Sequence, residues 1–536
     1  MSRALAAWML CLLGWGSGSV LAQSKAEPPF EPTRTHVTLG EHAIVALPGE
    51  VLLSFGAVSP ISIGLMEEDS PSQTDWQLIP RVRARLTPSL ILSGNRWPVF
   101  QWYQVAVDVD ARHVFGAEDS PDYLAEDPLT QLRRNWSGPR INQAYALMAG
   151  EHAAIKFGMT QSSWGTGMLA NPGRSHPHSA IGSQQPPDVT VAQSPFGYAR
   201  FVDRVARLQL AFFPLPEITS GTERYKPLTI AVAGDLVLED ATADWDAGDR
   251  TYQGIVAAFG RYDRLQLGLY GVYRRQEHRE KQGLTEVGVV DLSASYRVLR
   301  GAYDVWLDGE IVFIAGQSSY SKNVFHDGPM DVFQWGGLLR FGFASACFET
   351  VLEFSIGSGD SNPFDGALRQ FNFNREFRAG LLMFREVLRI TSAVGATNVA
   401  DPTYRGTPPS GYERIATGGG LQGTTLFFPR IAWEPIERLK IYAGVLLGSS
   451  TLAYVDPFWT GLHGGVSSGP HGARDKSFLG VEIDVALRYG FEPLGPVAFS
   501  LMVEAAYFSP GEVFDRGDGE PVNDVFGAWA HVEARF

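Results

Sequence analysis

Hydrophobic and polar positions alternate with a period of two along most of the chain. Between Leu479 and Tyr489, for example, the odd positions are apolar and the even positions include Glu482, Asp484 and Arg488. Because successive side chains of a strand point to opposite faces, this pattern predicts strands with one apolar and one charged face. Globular strands usually have ~5–6 residues, whereas ~9–11 residues cross a bilayer, and the alternating stretches here are of the longer kind. The pattern therefore predicts an all-β chain that forms a transmembrane antiparallel β-barrel.

The connections between the alternating stretches differ in length in a regular way. Tight turns are predicted near 149–151, 262–263 and 493–496, whereas long polar stretches, such as 165–197 and 449–476, join the opposite strand ends. Short periplasmic turns and long extracellular loops are typical of outer-membrane barrels. The stretch 165–197 is our candidate for a loop that folds inward and narrows the pore, because of its length.

Counting strands by this alternation of short turns and long loops predicts about 18 strands, in a barrel domain that spans residues 96–536. The predicted strands lie near 98–115, 139–149, 152–164, 198–214, 226–239, 251–262, 264–276, 286–299, 302–316, 331–344, 347–358, 371–384, 387–397, 420–434, 437–448, 477–491, 496–508 and 524–536. The two stretches between 371 and 397 are the least regular, and one strand plus a short helix is the alternative there.

The N-terminal part of the chain is harder to interpret. Arg3, the apolar run after it and the small residues before Gln23 are typical of a secretory signal peptide, so residues 1–22 are predicted to be cleaved. An uncleaved membrane anchor is the alternative. Residues 23–95 form an N-terminal segment in which 51–65 and 81–86 also alternate. Two extra strands there would raise the number to 20, so the expected range is 18 to 20.

The C-terminal strand gives the strongest single signal. Apolar residues occupy alternate positions from Phe526 to the last residue, Phe536. This resembles the C-terminal signature of bacterial outer-membrane barrels, in which a terminal Phe is the assembly signal. The resemblance implies that the barrel assembly machinery and outer-membrane lipid are partners, and that the protein lies in the cell outer membrane.

Alternation also assigns the charged residues of each strand to the inner face. The lumen-lining candidates are Arg81, Arg83, Arg85, Asp291, Arg297, Asp304, Asp308, Glu310, Arg340, Glu349, Glu353, Glu482, Asp484, Arg488, Glu504, Glu533 and Arg535. The row of three arginines from Arg81 to Arg85 would attract anions if it lined an open pore. The alternative is that these arginines pair with acids such as Glu482, Glu504 or Glu533 across a filled lumen. On the open-lumen interpretation, Glu482→Lys should shift ion selectivity and leave stability nearly intact.

Three short motifs resemble the alginate-export type of outer-membrane barrel and related porin-like proteins. They are Ile155-Lys156-Phe157-Gly158 with Ser163-Trp164-Gly165-Thr166-Gly167, then Gly357-Ser358-Gly359-Asp360, and Gly480-Val481-Glu482-Ile483-Asp484 with the later Phe508-Ser509-Pro510-Gly511. The resemblance covers most of the chain from Ile141 onward. It implies a channel of roughly 18 strands that passes a polar solute or a saccharide, and we carry over this architecture.

Composition narrows the classes of function further. The formal net charge is −14, and nucleic-acid binding requires a basic face, so we expect no nucleic-acid partner. We also expect no cofactor and no enzymatic activity, because the Ser, His and Asp residues form no convincing catalytic grouping. Asp360 with Asp365, and Asp515 with Asp518, are weak candidates for calcium ligands, and a solvated turn is the preferred interpretation of both.

The sequence thus favours a porin-like outer-membrane channel. A non-conducting barrel that serves as a surface scaffold or assembly partner is the second interpretation, and an outer-membrane hydrolase is the third. The oligomeric state stays open.

Overall fold

The fold is taken from a computed structural model. It describes residues 36–38, 43–63, 76–93, 100, 102–114, 138–171, 195–198, 203–220, 223–246, 248–278, 283–300, 303–319, 328–345, 347–362, 365–400 and 417–536. The predicted signal peptide, residues 1–22, lies outside the described residues.

Eighteen long antiparallel strands form one closed sheet in the described part of the chain. They are β1 Gly49–Val58, β2 Gln77–Leu86, β3 Trp102–Val114, β4 Gly138–Ala149, β5 Ala153–Thr160, β6 Arg204–Phe212, β7 Leu228–Glu239, β8 Arg250–Tyr262, β9 Leu265–His278, β10 Gly283–Arg300, β11 Tyr303–Ser318, β12 Met330–Ala344, β13 Phe348–Gly357, β14 Thr424–Ile436, β15 Leu439–Ser450, β16 Phe478–Gly490, β17 Ala498–Pro510 and β18 Val525–Arg535. Each strand pairs with the next, and β18 pairs with β1 from Gly527↔Val58 to Arg535↔Glu50. This last pairing closes the barrel.

The two faces of the strands follow the sequence alternation. Val290 and Ile483 on the outer face are 48% and 47% exposed, whereas Asp291 and Glu482, their neighbours on the inner face, are 0% exposed. Exposed aromatic side chains lie near both ends of the outer surface, for example Trp102, Phe212, Tyr262, Tyr303 and Tyr489 at the short-turn end and Tyr252, Tyr273, Phe333, Phe427, Phe478 and Phe526 at the long-loop end. An apolar band between aromatic girdles is the surface that a membrane-spanning barrel presents to lipid.

One bulge reverses the alternation locally. The register between β15 and β16 shifts after Gly448, and Gly480 adopts a φ of 130°. Strict alternation places Leu479 on the outer face, but the bulge turns this side chain inward, where it is fully buried.

Sixteen of the eighteen predicted strands are confirmed, and the two between 371 and 397 are wrong. That stretch contains a π-helix, Met383–Leu388, followed by the helix α1, Arg389–Ala400. Its side chains are buried on nearly all sides because the segment lies inside the barrel, so it has no polar face and apolar face to alternate as a wall strand does. β1 and β2, both in the N-terminal segment 23–95, complete the eighteen.

Two short strands extend β1 and β2 at the short-turn end. Ala43–Ala46 and Ser89–Ser93 pair in the same register as the barrel hairpin, and a third strand, His36–Thr38, pairs with the first of them. A hairpin of Ile218–Ser220 with Glu223–Tyr225 lies in the connection between β6 and β7. No helix in the described part of the chain is long and apolar enough to cross a membrane.

Two long loops enter the barrel. The first infolded loop joins β5 to β6, and its described residues are 161–171, 195–198 and 203. The second infolded loop joins β13 to β14, and its described residues are 358–362, 365–400 and 417–423. The second carries the two helices, whose apolar side chains pack against inward-facing residues of the wall in one buried cluster that includes Leu382, Phe384, Ile390, Phe428, Leu446, Phe508 and Trp529. The lumen beside β14 to β18 is therefore filled by a hydrophobic core.

Candidate functional site: the barrel lumen

Two of the three arginines on β2 form ion pairs with the neighbouring strand. Arg83 contacts the carboxylate of Asp110 with a closest N···O distance of 2.7 Å, and Arg85 contacts Asp108 at 2.7 Å. Asn142 on β4 donates a further hydrogen bond to Asp110 at 3.2 Å. Arg81 lies on the same inner face, farther toward the long loops. The charges of Arg83 and Arg85 are thus compensated by wall aspartates that lie close in the sheet, rather than by Glu482, Glu504 or Glu533.

A buried triad lies on three consecutive strands. Arg340 on β12 and Arg430 on β14 both contact one carboxylate oxygen of Glu353 on β13, at 2.8 and 2.9 Å. All three side chains are at most 5% exposed. Two guanidinium groups on one carboxylate leave this part of the inner wall with a net positive charge.

The other predicted pairs lie nearer the short-turn end. Arg297 forms an ion pair with Asp304, and Asp308 accepts a hydrogen bond from Ser295 at 2.6 Å. Glu533 contacts Arg535 at 2.6 Å and Arg488 at 3.6 Å. Glu349 lies at the short-turn end of β13 and is exposed.

Several lumenal pairs were not among the sequence candidates. Arg207 forms two hydrogen bonds with Asp235 at 2.6 and 2.7 Å, and both Arg140 and Arg204 contact Glu239. These residues lie on the inner faces of β4, β6 and β7, where apolar and polar residues do not alternate strictly. The pairing of β6 with β7 places Arg207 opposite Asp235 and Arg204 opposite Glu239, so the strand pairing would have indicated these ion pairs.

Glu482 on β16 binds the second infolded loop directly. Its carboxylate accepts hydrogen bonds from the backbone N–H groups of Leu381, Leu382 and Met383, at 2.5, 2.7 and 2.7 Å. Gly380 precedes them with a φ of 68°, and a Cβ on it would meet the Glu482 carboxylate at 2.7 Å. Only glycine therefore allows so close an approach between loop and wall.

Glu310 on β11 binds the first infolded loop in a similar way. Its Oε2 atom accepts hydrogen bonds from the backbone N–H of Thr166 and, at 2.6 Å, from the Thr166 hydroxyl. The adjacent indole of Trp164 stacks on the inward-facing Tyr270, with ring centroids 5.0 Å apart. The Trp-Gly-Thr-Gly motif is thus a wall-binding turn inside the lumen.

Glu504 on β17 provides a third attachment. One carboxylate oxygen accepts the backbone N–H of Gly197 at 2.8 Å, and the other lies 2.8 Å from Nε2 of His531. Arg378 of the second infolded loop donates to the carbonyl oxygen of Gly197, which ties the two loops together. Burial raises the pKa of the Tyr198 phenol, and this ring packs on His531 with centroids 4.6 Å apart.

Asp291 and Asp484 occupy a different environment from the other wall acids. Each is fully buried, and in the described part of the chain neither carboxyl group accepts a hydrogen bond from an N–H or O–H donor. Asp291 on β10 lies diagonally opposite Glu310 on β11, and Asp484 lies two residues from Glu482 on the same face of β16, so the two acids of each pair are neighbours on the inner wall. Both aspartates therefore accompany a glutamate that holds an infolded loop.

The four weak calcium candidates lie in turns. Asp360 accepts backbone N–H groups of Asn362 and Arg369, and Asp365 contacts the Arg369 side chain at 2.8 Å. In the connection between β17 and β18, Asp518 accepts the N–H of Glu520 at 3.1 Å. Asp515 lies in the same turn as Asp518. No group of three or more His, Cys, Asp or Glu side chains that could hold a metal ion occurs among the residues described.

A small pocket lies at the long-loop end, between the second infolded loop and the ends of β13 to β15. Its lining includes Ser392, Thr424 and Asp456. Asp456 caps the short helix α2, Pro457–Leu462, by accepting the N–H of Trp459. Burial raises the pKa of the Asp456 carboxyl to about 7.

One segment of the same loop region has the spacing of a nucleophile elbow, which sequence reasoning passed over. In Gly465-Val466-Ser467-Ser468-Gly469, the central Ser467 is 8% exposed and donates to the Ser361 carbonyl. His463 lies 2.8 Å from the neighbouring Ser468, which is fully buried. The segment follows a helix rather than a strand, so it does not present a serine as a nucleophile elbow does.

The terminal residue completes the seam of the barrel. Phe536 and Gly49 exchange two backbone hydrogen bonds, of 2.8 and 2.9 Å. A Cβ on Gly49 would lie 2.3 Å from the Phe536 ring. The aromatic ring therefore fits against β1 only because that position is glycine.

Comparisons with known proteins add a general likeness. No protein-family model matches the chain, and no curated protein matches it. Among solved structures, it is similar to the Pseudomonas aeruginosa protein OpdK with vanillate, at 11% identity and a TM-score of 0.47, over 91% of this chain and 98% of that one. It is also similar to OccK2 (OpdF) of the same organism in complex with glucuronate, at 9% identity and a TM-score of 0.46, over 91% and 96%. It is similar as well to OccK11 (OpdR) of Pseudomonas aeruginosa, at 10% identity and a TM-score of 0.45, over 91% of this chain and 96% of that one.

Proposed function

We propose that this protein is an outer-membrane channel that passes small polar or charged solutes, or a saccharide, by diffusion. The observation that carries the proposal is a closed 18-stranded barrel whose inner face is charged and whose outer face is apolar. A barrel of 16 to 18 strands is normally wide enough for an aqueous channel. The two infolded loops then set the width of that channel.

The inner wall favours broad rather than sharp selectivity. Acidic and basic side chains pair across adjacent strands, as in Arg83 with Asp110 and Arg207 with Asp235. Paired charges of opposite sign leave a polar surface with a weak net field. Neutral and weakly charged solutes are therefore the substrates that this wall suits.

A non-conducting barrel is the second candidate, and one observation favours it. The second infolded loop builds a hydrophobic core with the wall, in which Phe371, Leu382 and Phe428 are fully buried. Such a core excludes water from its part of the lumen. On this proposal, the barrel would act as a surface scaffold or as an assembly partner.

The resemblance to the alginate-export family stays a prediction, as does the cleaved signal peptide. An enzymatic function has no support from the geometry around Ser467 or from the scattered histidines. We propose that the barrel assembly machinery and outer-membrane lipid are the physiological partners, since Phe536 occupies the closing seam.

Single-channel conductance of the refolded protein without residues 1–22, in a planar bilayer, tests the proposal. Steady openings establish a pore, and the reversal potential under a salt gradient shows whether arginines or carboxylates dominate. A barrel that inserts but gives no openings would refute the channel and favour the scaffold. Insertion is checked independently by the heat-dependent mobility of the folded barrel on a gel.

A further inference from the structure

The two infolded loops are attached to different strands of the wall, β16 and β11, by the same arrangement of groups. In each case a buried glutamate accepts hydrogen bonds from the loop: Glu482 from three backbone N–H groups, and Glu310 from the N–H and hydroxyl of Thr166. In each case a buried aspartate is the neighbour of that glutamate on the inner wall, either two residues along the same strand or diagonally across adjacent strands. We call Asp484–Glu482 and Asp291–Glu310 the acid pairs.

The hydrogen-bond pattern assigns one proton to each acid pair. The glutamates already accept from the loop donors, which is the pattern of an ionised carboxylate. The aspartates accept nothing in the described part of the chain, since the Leu381 amide and the Trp164 indole lie outside hydrogen-bond geometry. Two ionised carboxylates in contact and shielded from water would repel strongly, so one proton between them is the stable state. Asp484 and Asp291 therefore act as donors to the glutamates.

The surroundings of the first pair contain few compensating charges. Asp484 faces Glu482 on its own strand and Glu504 on β17, while the backbone of Leu381 approaches from the second infolded loop. Glu504 is itself engaged by His531, and Arg378 lies near it. No described cation contacts Asp484 directly.

The second pair has one cation at a distance. Glu310 on β11 is under the influence of Arg340 on β12 and accepts from Thr166 on the first infolded loop. Asp291 on β10 lies near Tyr270 on β9 as well as near Glu310. These contacts stabilise the charge on the glutamate and leave the proton on the aspartate.

We propose that the acid pairs are proton-dependent latches, and that loss of their shared protons releases the infolded loops from the wall. With the proton gone, two adjacent carboxylates remain in a dry site, and release of the loop admits water to both. The ratio of released to attached loop then rises by up to about tenfold per pH unit for each proton lost on release. Release would widen the lumen, a consequence that rests on the proposed channel function.

Hydrogen exchange followed by mass spectrometry tests the latches without requiring conduction. Refolded protein is compared at about pH 6 and about pH 9, with rates corrected for the intrinsic effect of pH. Backbone amides of Leu381 to Met383 and of Thr166 should lose protection as the pH rises. Unchanged protection at both sites overturns the proposal, whether or not the barrel conducts.

Asparagine variants separate the two latches. In Asp484→Asn the side-chain amide donates to Glu482 at every pH, so protection of the 381–383 amides should become independent of pH while Thr166 still responds. Asp291→Asn should show the reverse. Asp304→Asn is the matched control, because Asp304 pairs with Arg297 and not with an acid, and it should respond like the wild type.

Two further outcomes count against the latches. If both asparagine variants keep the wild-type response, the acid pairs do not carry it. If His531→Gln alone abolishes the response at both sites, the Glu504–His531 contact carries it instead. In planar bilayers, open probability should rise with pH in the wild type and stay low in the double asparagine variant. A barrel silent at every pH would refute the channel, and the exchange result would still decide on the latches.

Discussion

Replacement of Glu482 by alanine should release the second infolded loop while the barrel stays closed. The variant leaves three buried amides without their acceptor, and an unsatisfied buried donor costs about 1–3 kcal/mol. Three such donors cost about 3–9 kcal/mol, and water that enters the lumen offsets part of this. We expect a net effect near the lower end, about 3 kcal/mol, which is roughly a hundredfold change in the ratio of attached to released loop.

Trypsin cleavage in the loop measures this release. The described part of the loop between Gln370 and Ala400 contains Arg375, Arg378, Arg385 and Arg389, which should become accessible in Glu482→Ala. Glu533→Ala is the matched control, because the hydrogen bonds and ion pairs of Glu533 in the described structure are made with the wall residues Arg488, Ser500 and Arg535 and not with the second infolded loop. Equal protease resistance of the two variants, with unchanged conductance, would refute the role of Glu482. The sequence had predicted little effect on stability for a substitution here, and the three amide contacts argue against that.

Three further predictions follow from other parts of the molecule. Ile483→Lys, on the lipid face, should destabilise the barrel by about 2–4 kcal/mol, measured by denaturant unfolding in vesicles, and an unchanged midpoint would contradict the face assignment. Gly49→Val and deletion of Phe536 should both hinder closure of the seam, seen as loss of the compact gel species, and normal assembly of both variants would argue against the role of this contact. His471 lies in the connection between β15 and β16, and burial lowers the pKa of its imidazole to about 4. Its contribution to the stability of this connection is therefore full above its ordinary pKa and is lost as the pH falls toward 4. His471→Asn should remove that acid sensitivity in exchange measurements of the loop, and its persistence would assign it to another group.

Alternation along the strands was enough to predict the barrel and the faces of its wall. It works because lipid contacts one face of every strand, so Val290 and Asp291 must differ. It failed at Leu479, where the bulge at Gly480 inserts one residue and reverses the faces. It failed again between 371 and 397, where no lipid contact imposes a period of two.

The roles of the inner-face acids were not readable from the sequence. Glu482, Glu310 and Glu504 bind loop amides that are 99 to 101, 144 and 307 residues away, and local pattern carries no information on such distant partners. A signal for the second infolded loop was nevertheless present: an apolar stretch without alternation, followed by three glycines at 418–420. The partner of Arg83 was also not predicted, because Asp110 lies on the neighbouring strand and not across the lumen, where Glu482, Glu504 and Glu533 had been considered.

The seam between β18 and β1 also determines how the barrel can fold. The amide of Phe526 donates to the hydroxyl of Ser59, 467 residues earlier in the chain. Contacts between such distant residues pay a large loop-closure entropy and slow folding. Until the last strand arrives, β1 is an open edge that can pair with any other strand. The order of synthesis therefore leaves the first strand exposed for longest, and a partner that covers this edge would protect the nascent barrel from aggregation.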